Sequence, residues 1–329
     1  MENEKPESGK KRQVKLMKSN KTGFLIVAAL MILAASLISV LSVRNAKDRG
    51  GVYFSMGGTA KLRNTIELSL SDVDNLEVIY TSKNLDIYPT EGNSIIIKEY
   101  LISDRPEAVA VCETVTDEAT GSRTVTVTGG KEIIVNIFGF FAGRERIEVY
   151  IPADGLHELK LQTGSGNINA ESDFALNIEK LSVQAGSGNI KWHDTKAAEM
   201  TVQAGSGNIR MERISGDITA QTGSGNIRID GFSGQGSVKA GSGNVNVEFL
   251  EAAGDMHLKT GSGNLHLELS KELSFQFEVQ TGSGNIHTFF DDQLSYNKKG
   301  NHAEGTIGDS PSCVISAEAN SGNVTITAG

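Results

Sequence analysis

Proline is scarce in this 329-residue chain, with five copies, and so are cysteine, with two, and tryptophan, with one. Scarce proline beside 37 glycines at repeated turn positions reads as a turn-rich β protein rather than a disordered one. Cys112 and Cys313 stand 201 residues apart and fit neither metal-ligand nor redox-motif spacing. They read as small buried hydrophobes, although an oxidising compartment would permit a bridge between them. A surplus of positive charge is missing too. The net charge of −9 excludes a general nucleic-acid binder, because phosphate binding needs a basic surface. No stretch carries the pattern of a long amphipathic helix. Catalytic signals are absent as well: no serine sits in a nucleophile-elbow context, and no convincing carboxylate pair stands out, Asp291-Asp292 reading as a loop. The chain therefore reads as a non-enzyme without a cofactor.

What is present is a repeat. Thr163-Gly164-Ser165-Gly166-Asn167-Ile168 returns with its first glycine and asparagine at Gly186 and Asn189, Gly205 and Asn208, Gly223 and Asn226, Gly241 and Asn244, Gly261 and Asn264, and Gly282 and Asn285. A variant, Asn320-Ser321-Gly322-Asn323, ends the series. The asparagines are spaced by 22, 19, 18, 18, 20 and 21 residues, then by 38, which reads as two periods with one copy lost. Thr or Ala precedes each copy, and Ile, Val or Leu follows it. A fixed period near 20 marks a repeat architecture.

Charge and hydropathy divide the chain. Residues 1–22 hold seven Lys/Arg against three Glu, whereas from Arg44 onward there are 24 Lys/Arg against 37 Asp/Glu. Between them, residues 23–43 contain no charge, long enough for a helix to cross a bilayer. Lysines and arginine cluster before this segment and keep the N-terminus inside. A cleaved signal peptide is the competing reading, but its apolar core would be shorter and the Val40-Leu41-Ser42 site is poor. The expected organisation is a cytoplasmic basic tail at 1–22, a transmembrane signal anchor at 23–43, a linker at 44–51 and an extracytoplasmic β domain at 52–329.

Within that domain, Leu76-Glu-Val-Ile-Tyr80, Leu85-Asp-Ile-Tyr88, Ser94-Ile-Ile-Ile-Lys98, Arg123-Thr-Val-Thr-Val-Thr128 and Arg146-Ile-Glu-Val-Tyr-Ile151 alternate with period two and read as strands. Residues 133–142 are conspicuously apolar and too short to span a bilayer. They read either as a buried strand bent at Gly139 or as an exposed tip that meets membrane or a partner.

Each period holds two short strands and two turns. In the motif turn, glycine is expected to supply positive φ. The second turn is degenerate: Ala198-Glu199-Met200, Gly216-Asp217-Ile218, Gly236-Ser237-Val238 and Gly254-Asp255-Met256. Leu161, Val183, Val202, Ala220, Val238, Leu258 and Val279 lead into the motif turns on the inward face; Ile168, Ile190, Ile209, Ile227, Val245, Leu265 and Ile286 follow them. One repeat cannot bury its apolar face alone, but stacked copies share a core. A meander fits this pattern. The near-identity of the turns favours a solenoid of parallel β-helix type, with Gln162, Gln184, Gln203, Gln221 and Gln280 forming an outward ladder that includes Lys239 and Lys259.

Glu148-Val-Tyr-Ile-Pro-Ala-Asp-Gly155, Leu159-Lys-Leu-Gln-Thr-Gly-Ser-Gly-Asn-Ile168 and the iterated Ser-Gly-Asn turns resemble the bacterial putative-adhesin β-strand-repeat family, also called the Toastrack domain. Gly305-Thr-Ile-Gly308 and Ser321-Gly-Asn-Val-Thr-Ile326 are similar to its usual ending. The resemblance implies an all-β repeat protein of the cell envelope, often tied to envelope-stress systems, and brings no family-wide ligand or active site.

Candidate binding residues come from repeat position. Lys191, Arg210 and Arg228, with His266 and His287, occupy the same place after the turn and form a candidate strip for anionic wall polymer, headgroups or another envelope protein. The motif is no phosphate cradle, since neither Lys-Ser/Thr nor a helix follows it. Asparagine stands where the calcium-binding nonapeptide repeat has aspartate, so the turns read as structural. The alternatives to an envelope-sensing scaffold are an adhesin and, by fold analogy alone, a carbohydrate-active enzyme with carboxylates clustered on one sheet.

Overall fold

The computed structural model describes residues 52–55, 59–130, 133–136, 145–171, 174–270 and 272–329. The expected tail, anchor and linker lie outside these residues, as does 137–142 of the apolar stretch. Among the described residues no helix is long and apolar enough to cross a membrane. Val52–Ser55 and Ile133–Asn136 pair in a separate two-stranded sheet.

The rest of the described chain is a β-solenoid whose coils stack in parallel register. Strands leading into the turns form one face, sheet A. Strands leaving them form the other, sheet B. Ile190–Ala204, Ile209–Thr222, Ile227–Ala240 and Val245–Ser262 each contribute to both faces, bending at the opposite corner. Identical positions meet across coils: Gln184, Gln203 and Gln221 in sheet A, and Ile190, Ile209, Ile227 and Val245 in sheet B. This register distinguishes the solenoid from a meander. The inward residues before the turns, from Leu161 to Val279, are all buried in one continuous core. Their alternation with polar neighbours is what the pleat of a strand requires. The five sequence-predicted strands are present as Asn75–Tyr80, Asn84–Thr90, Ser94–Leu101, Arg123–Thr128 and Arg146–Pro152.

Coil order departs from chain order at the C-terminus. Val314–Ser321 pairs with Val245–Ser262 on one side and with Phe275–Ser283 on the other. Val324–Ala328 likewise lies between Leu265–Leu269 and Ile286–Thr288. The last coil of the sequence is thus the penultimate coil in space. The 38-residue interval holds no lost repeat; it holds the antiparallel pair His302–Ile307 and Leu294–Tyr296, which closes the end of sheet A. At the other end, Val111–Thr116 pairs antiparallel with Arg123–Thr128, and Lys61–Ser69 with Ser94–Leu101.

Both cysteines are free, but only Cys313 is buried; Cys112 is exposed. Nine strand steps of ~4.8 Å separate their strands, far beyond disulfide reach.

Candidate functional site

The motif turns form a ridge along one edge of the solenoid, and their geometry corrects the expected role of glycine. None of the paired motif glycines from Gly164 to Gly284 has φ in the left-handed region. Space is the constraint. A Cβ on the first glycine of a turn would stand 2.3–2.5 Å from a carbonyl oxygen of the adjacent coil, and on the second 1.6–2.1 Å. Only a hydrogen fits, so the backbones stack directly.

Asparagine closes each step. The Oδ1 of Asn167 accepts from the backbone N–H of Asn189, and the same bond joins Asn189 to Asn208, Asn208 to Asn226, Asn226 to Asn244 and Asn244 to Asn264. Through the intercalated coil it continues from Asn264 to Asn323 and from Asn323 to Asn285, every distance being 2.8 or 2.9 Å. Asn84 begins the series by accepting from Asn167 N–H at 2.9 Å. Each Oδ1 on the ladder up to Asn323 is therefore engaged by a backbone donor of the next coil. The alternation of Thr and Ala has a related basis. Buried Thr163, Thr222, Thr260 and Thr281 each donate an Oγ1–H to a turn carbonyl of the neighbouring coil, at 2.6–2.9 Å.

Sheet B brings Lys191, Arg210 and Arg228 into direct register. Asn246 then separates Arg228 from His266, and Thr325 separates His266 from His287 because the C-terminal coil intervenes. The cations are paired. Lys191 meets Glu171, Arg210 meets Glu212 at 2.8 Å, and Arg228 meets Asp230 at 2.8 Å. Arg210 also lies 3.6 Å from Asp230. Hydrogen bonds from Lys191 and Arg210 hold the Glu171 and Glu212 carboxyls below their ordinary range, and Asp230 pushes the Arg228 guanidinium up. The strip is one row of an ion-pair lattice whose second row is acidic.

Toward the N-terminal end of sheet B, Tyr88 stacks on Tyr150 at 5.0 Å, and Lys98 covers the Tyr150 ring at 4.7 Å. Arg146 lies 4.1 Å from the Tyr100 ring centre. Burial, then the hydrogen bond to Glu148, pushes the Tyr150 hydroxyl up to about 12. In sheet A the outward ladder runs Gln162, Gln184, Gln203, Gln221, Lys239 and Lys259, but Glu318 separates Lys259 from Gln280 and pairs with Lys259 at 2.8 Å. Beside this ladder lies a shallow groove of about 470 Å³ whose lining includes Glu199, Asp217, Gln235, Ser237, Asp255 and His257. Three carboxylates on one sheet are what the carbohydrate-active alternative called for. Asp217 accepts from Gln235 at 2.9 Å, and Asp255 from the Val314 N–H at 2.8 Å. Among the described residues, no group of three or more His, Cys, Asp or Glu could hold a metal ion.

The profile of the family described as Toastrack DUF4097 matches residues 71–327. The chain belongs to the Toastrack family. No curated protein matches it. Among solved structures it is similar to a putative cell adhesion protein from Clostridium sporogenes, at 9% identity and TM-score 0.29, covering 81% of this chain and 98% of that one. It is also similar to a putative adhesin from Bacteroides fragilis, at 12% identity and TM-score 0.45, covering 82% and 100%.

Two features of this Toastrack chain lie outside the Gly-Ser-Gly-Asn pattern. Asn84 belongs to Tyr80-Thr-Ser-Lys-Asn84-Leu85, which keeps the serine and asparagine of the turn but neither glycine. The coil on its far side has no Ser-Gly-Asn turn to stack on, so side chains are tolerated there. The other feature is the opposite corner, where Asp194, Arg213 and Gly231 take φ of 46°, 54° and 73°. The degenerate second turn also shifts by two residues: Gly216 aligns with Gly234, and Gly236 with Ile218.

Proposed function

We propose that this Toastrack protein is a single-pass component of the cell envelope, anchored by residues 23–43 with its N-terminus in the cytoplasm. Its solenoid works without catalysis as a rigid binding or scaffold module in envelope sensing. The observation that carries the reading is the asparagine ladder. Eight bonded steps, ~38 Å at ~4.8 Å each, lock the turns of successive coils into one stiff body with two flat faces. A stiff body beside its own bilayer suits contact with neighbouring envelope proteins better than reach toward a distant surface. The internal pairing of Lys191, Arg210 and Arg228 also leaves little free positive charge for anionic wall polymer.

The test is capture by tagged full-length protein from native membranes, with each enriched protein purified and rebound. Rebinding of membrane signalling proteins, with no retention on purified wall, supports the scaffold. Adhesion to a wall glycan is the second reading, favoured by the sheet A groove. Salt-sensitive retention on wall, lost in Asp217→Asn with Asp255→Asn, would replace the first reading with the second.

A further inference from the structure

The two ends of the solenoid differ in how their edges are left. At the C-terminal end the outermost strands, Leu294–Tyr296 and Ile286–Thr288, have three residues each. Phe275, Phe277 and Phe290 pack edge to face beneath them. Short edges of this kind resist pairing with other chains. At the N-terminal end the outermost strands are Val111–Thr116 in sheet A, with six residues, and Lys61–Ser69 in sheet B, with nine. Each pairs on its inner side only, and among the described residues no strand covers either outer edge. All six residues of Val111–Thr116 are exposed, Val111 by 58% and Val115 by 65%.

We propose that this end is a self-association surface, on which Val111–Thr116 pairs antiparallel with the same strand of a second copy across a twofold axis. An open strand edge offers a row of unsatisfied N–H and C=O groups, which a further strand satisfies. A second copy is the occupant that the side chains match. When Glu113 faces its own counterpart at the axis, Val111 of each copy falls opposite Val115 of the other, so the apolar pair forms twice. The two glutamates oppose each other at the centre and keep the contact reversible, since like charges directly opposite are unfavourable. The chain enters the solenoid through Lys61–Ser69 at this same end. Anchors in one bilayer, as proposed above, would hold two such ends at one height and raise their effective concentration. The strand edge is open whether or not the chain is anchored. The two bodies would extend in opposite directions from the contact.

Cys112 is the exposed thiol of this strand and reports on the pairing, because the register brings the two copies of Cys112 near the axis. Full-length protein in nanodiscs or detergent is treated with a short bis-maleimide, and its mass is followed by sedimentation velocity. The wild type forms a concentration-dependent dimer that is cross-linked through Cys112. Glu113→Gln tightens the dimer about two- to fivefold by removing the central repulsion. Val111→Lys with Val115→Lys abolishes the cross-link while the thermal unfolding profile stays unchanged. The proposal is overturned if the wild type gives no Cys112 cross-link, or if a dimer persists unchanged in both variants. A dimer that Glu113→Gln loosens overturns it as well. Capture of envelope proteins tests the scaffold reading separately, so either can fail alone.

Discussion

The solenoid has two kinds of corner, and they solve the same problem differently. Along the motif edge, seven coils repeat Gly-Ser-Gly-Asn almost without change. At the opposite corner the equivalent residue is Asp194, Arg213 or Gly231 in successive coils. Dihedral angle does not explain the contrast, because the variable corner is the one that needs φ > 0. Distance between coils does. On the motif edge, carbonyl oxygens of one coil occupy the space where the next coil's Cβ atoms would be. At Gly231 the nearest atom to such a Cβ is 3.7 Å away. Glycine is needed for space on the motif edge and for φ at Gly231, whereas Gly216, Gly234 and Gly236 of the degenerate turn combine positive φ with a Cβ position 1.7–2.1 Å from a carbonyl oxygen of the adjacent coil.

That contrast is sharpest in a pair of alanine substitutions. In Gly207→Ala the new Cβ would stand 1.8 Å from Gly188 O, a backbone atom that cannot swing aside, and a loss of about 3 kcal/mol is expected in urea unfolding. Gly231→Ala meets no clash but holds a side chain at φ 73°, and about 1 kcal/mol is expected. Equal losses would remove the distinction between the corners. Next in size, Asn226→Ala leaves the Asn244 N–H without its acceptor and should cost about 1–2 kcal/mol, whereas Asn226→Asp keeps an acceptor and should cost less. Similar values for both would mean that the ladder depends on the amide donor instead. Thr222→Ala removes one buried hydrogen bond to Gly207 O, and about 1 kcal/mol is expected, a modest figure because other coils carry alanine there.

The smallest effects belong to the ion-pair lattice. Arg213 holds Asp194 at 2.5 Å, but its side chain is 62% exposed, so Arg213→Ala should shift the urea midpoint little. Acid is the better probe of the lattice as a whole. Hydrogen bonds from Arg213, Lys191 and Arg210 lower the Asp194, Glu171 and Glu212 carboxyls from ordinary values of 3.8 for aspartate and 4.5 for glutamate. A carboxyl depressed by folding stabilises above its unfolded value and loses that contribution as pH falls through the folded one. Thermal unfolding scanned from pH 6 downward should therefore weaken below about pH 4.5. In the triple variant Glu171→Gln, Asp194→Asn, Glu212→Gln, the slope should flatten. An unchanged slope would place acid sensitivity outside this lattice.

Much of this architecture is legible in the sequence. Period-two alternation located the strands because a pleat sends successive side chains to opposite faces, and the constancy of the turns implied stacking. The row of Lys191, Arg210 and Arg228 followed from the same repeat. Other features were hidden for identifiable reasons. The partners of the strip lie on the same strand or one coil away, and no one-dimensional pattern shows which acid meets which base. Asn84 was missed because glycine marks the motif only where a neighbouring turn presses on it. The expected burial of Cys112 failed because its strand sits at the solenoid's end, where the alternation continues but the core does not.

By itself, the sequence determined the repeat, the fold class and the inward series, since all three follow from local periodicity and from apolar faces that only stacking can bury. Tertiary structure alone decided the order of the coils. Coils built on one motif can stack on each other in many orders with the same hydrogen bonds, so their turns carry no address. For the C-terminal coil the address lies in non-repeating contacts: Lys259 with Glu318, His257 with Ser316 at 2.7 Å, and Asp255 with the Val314 N–H.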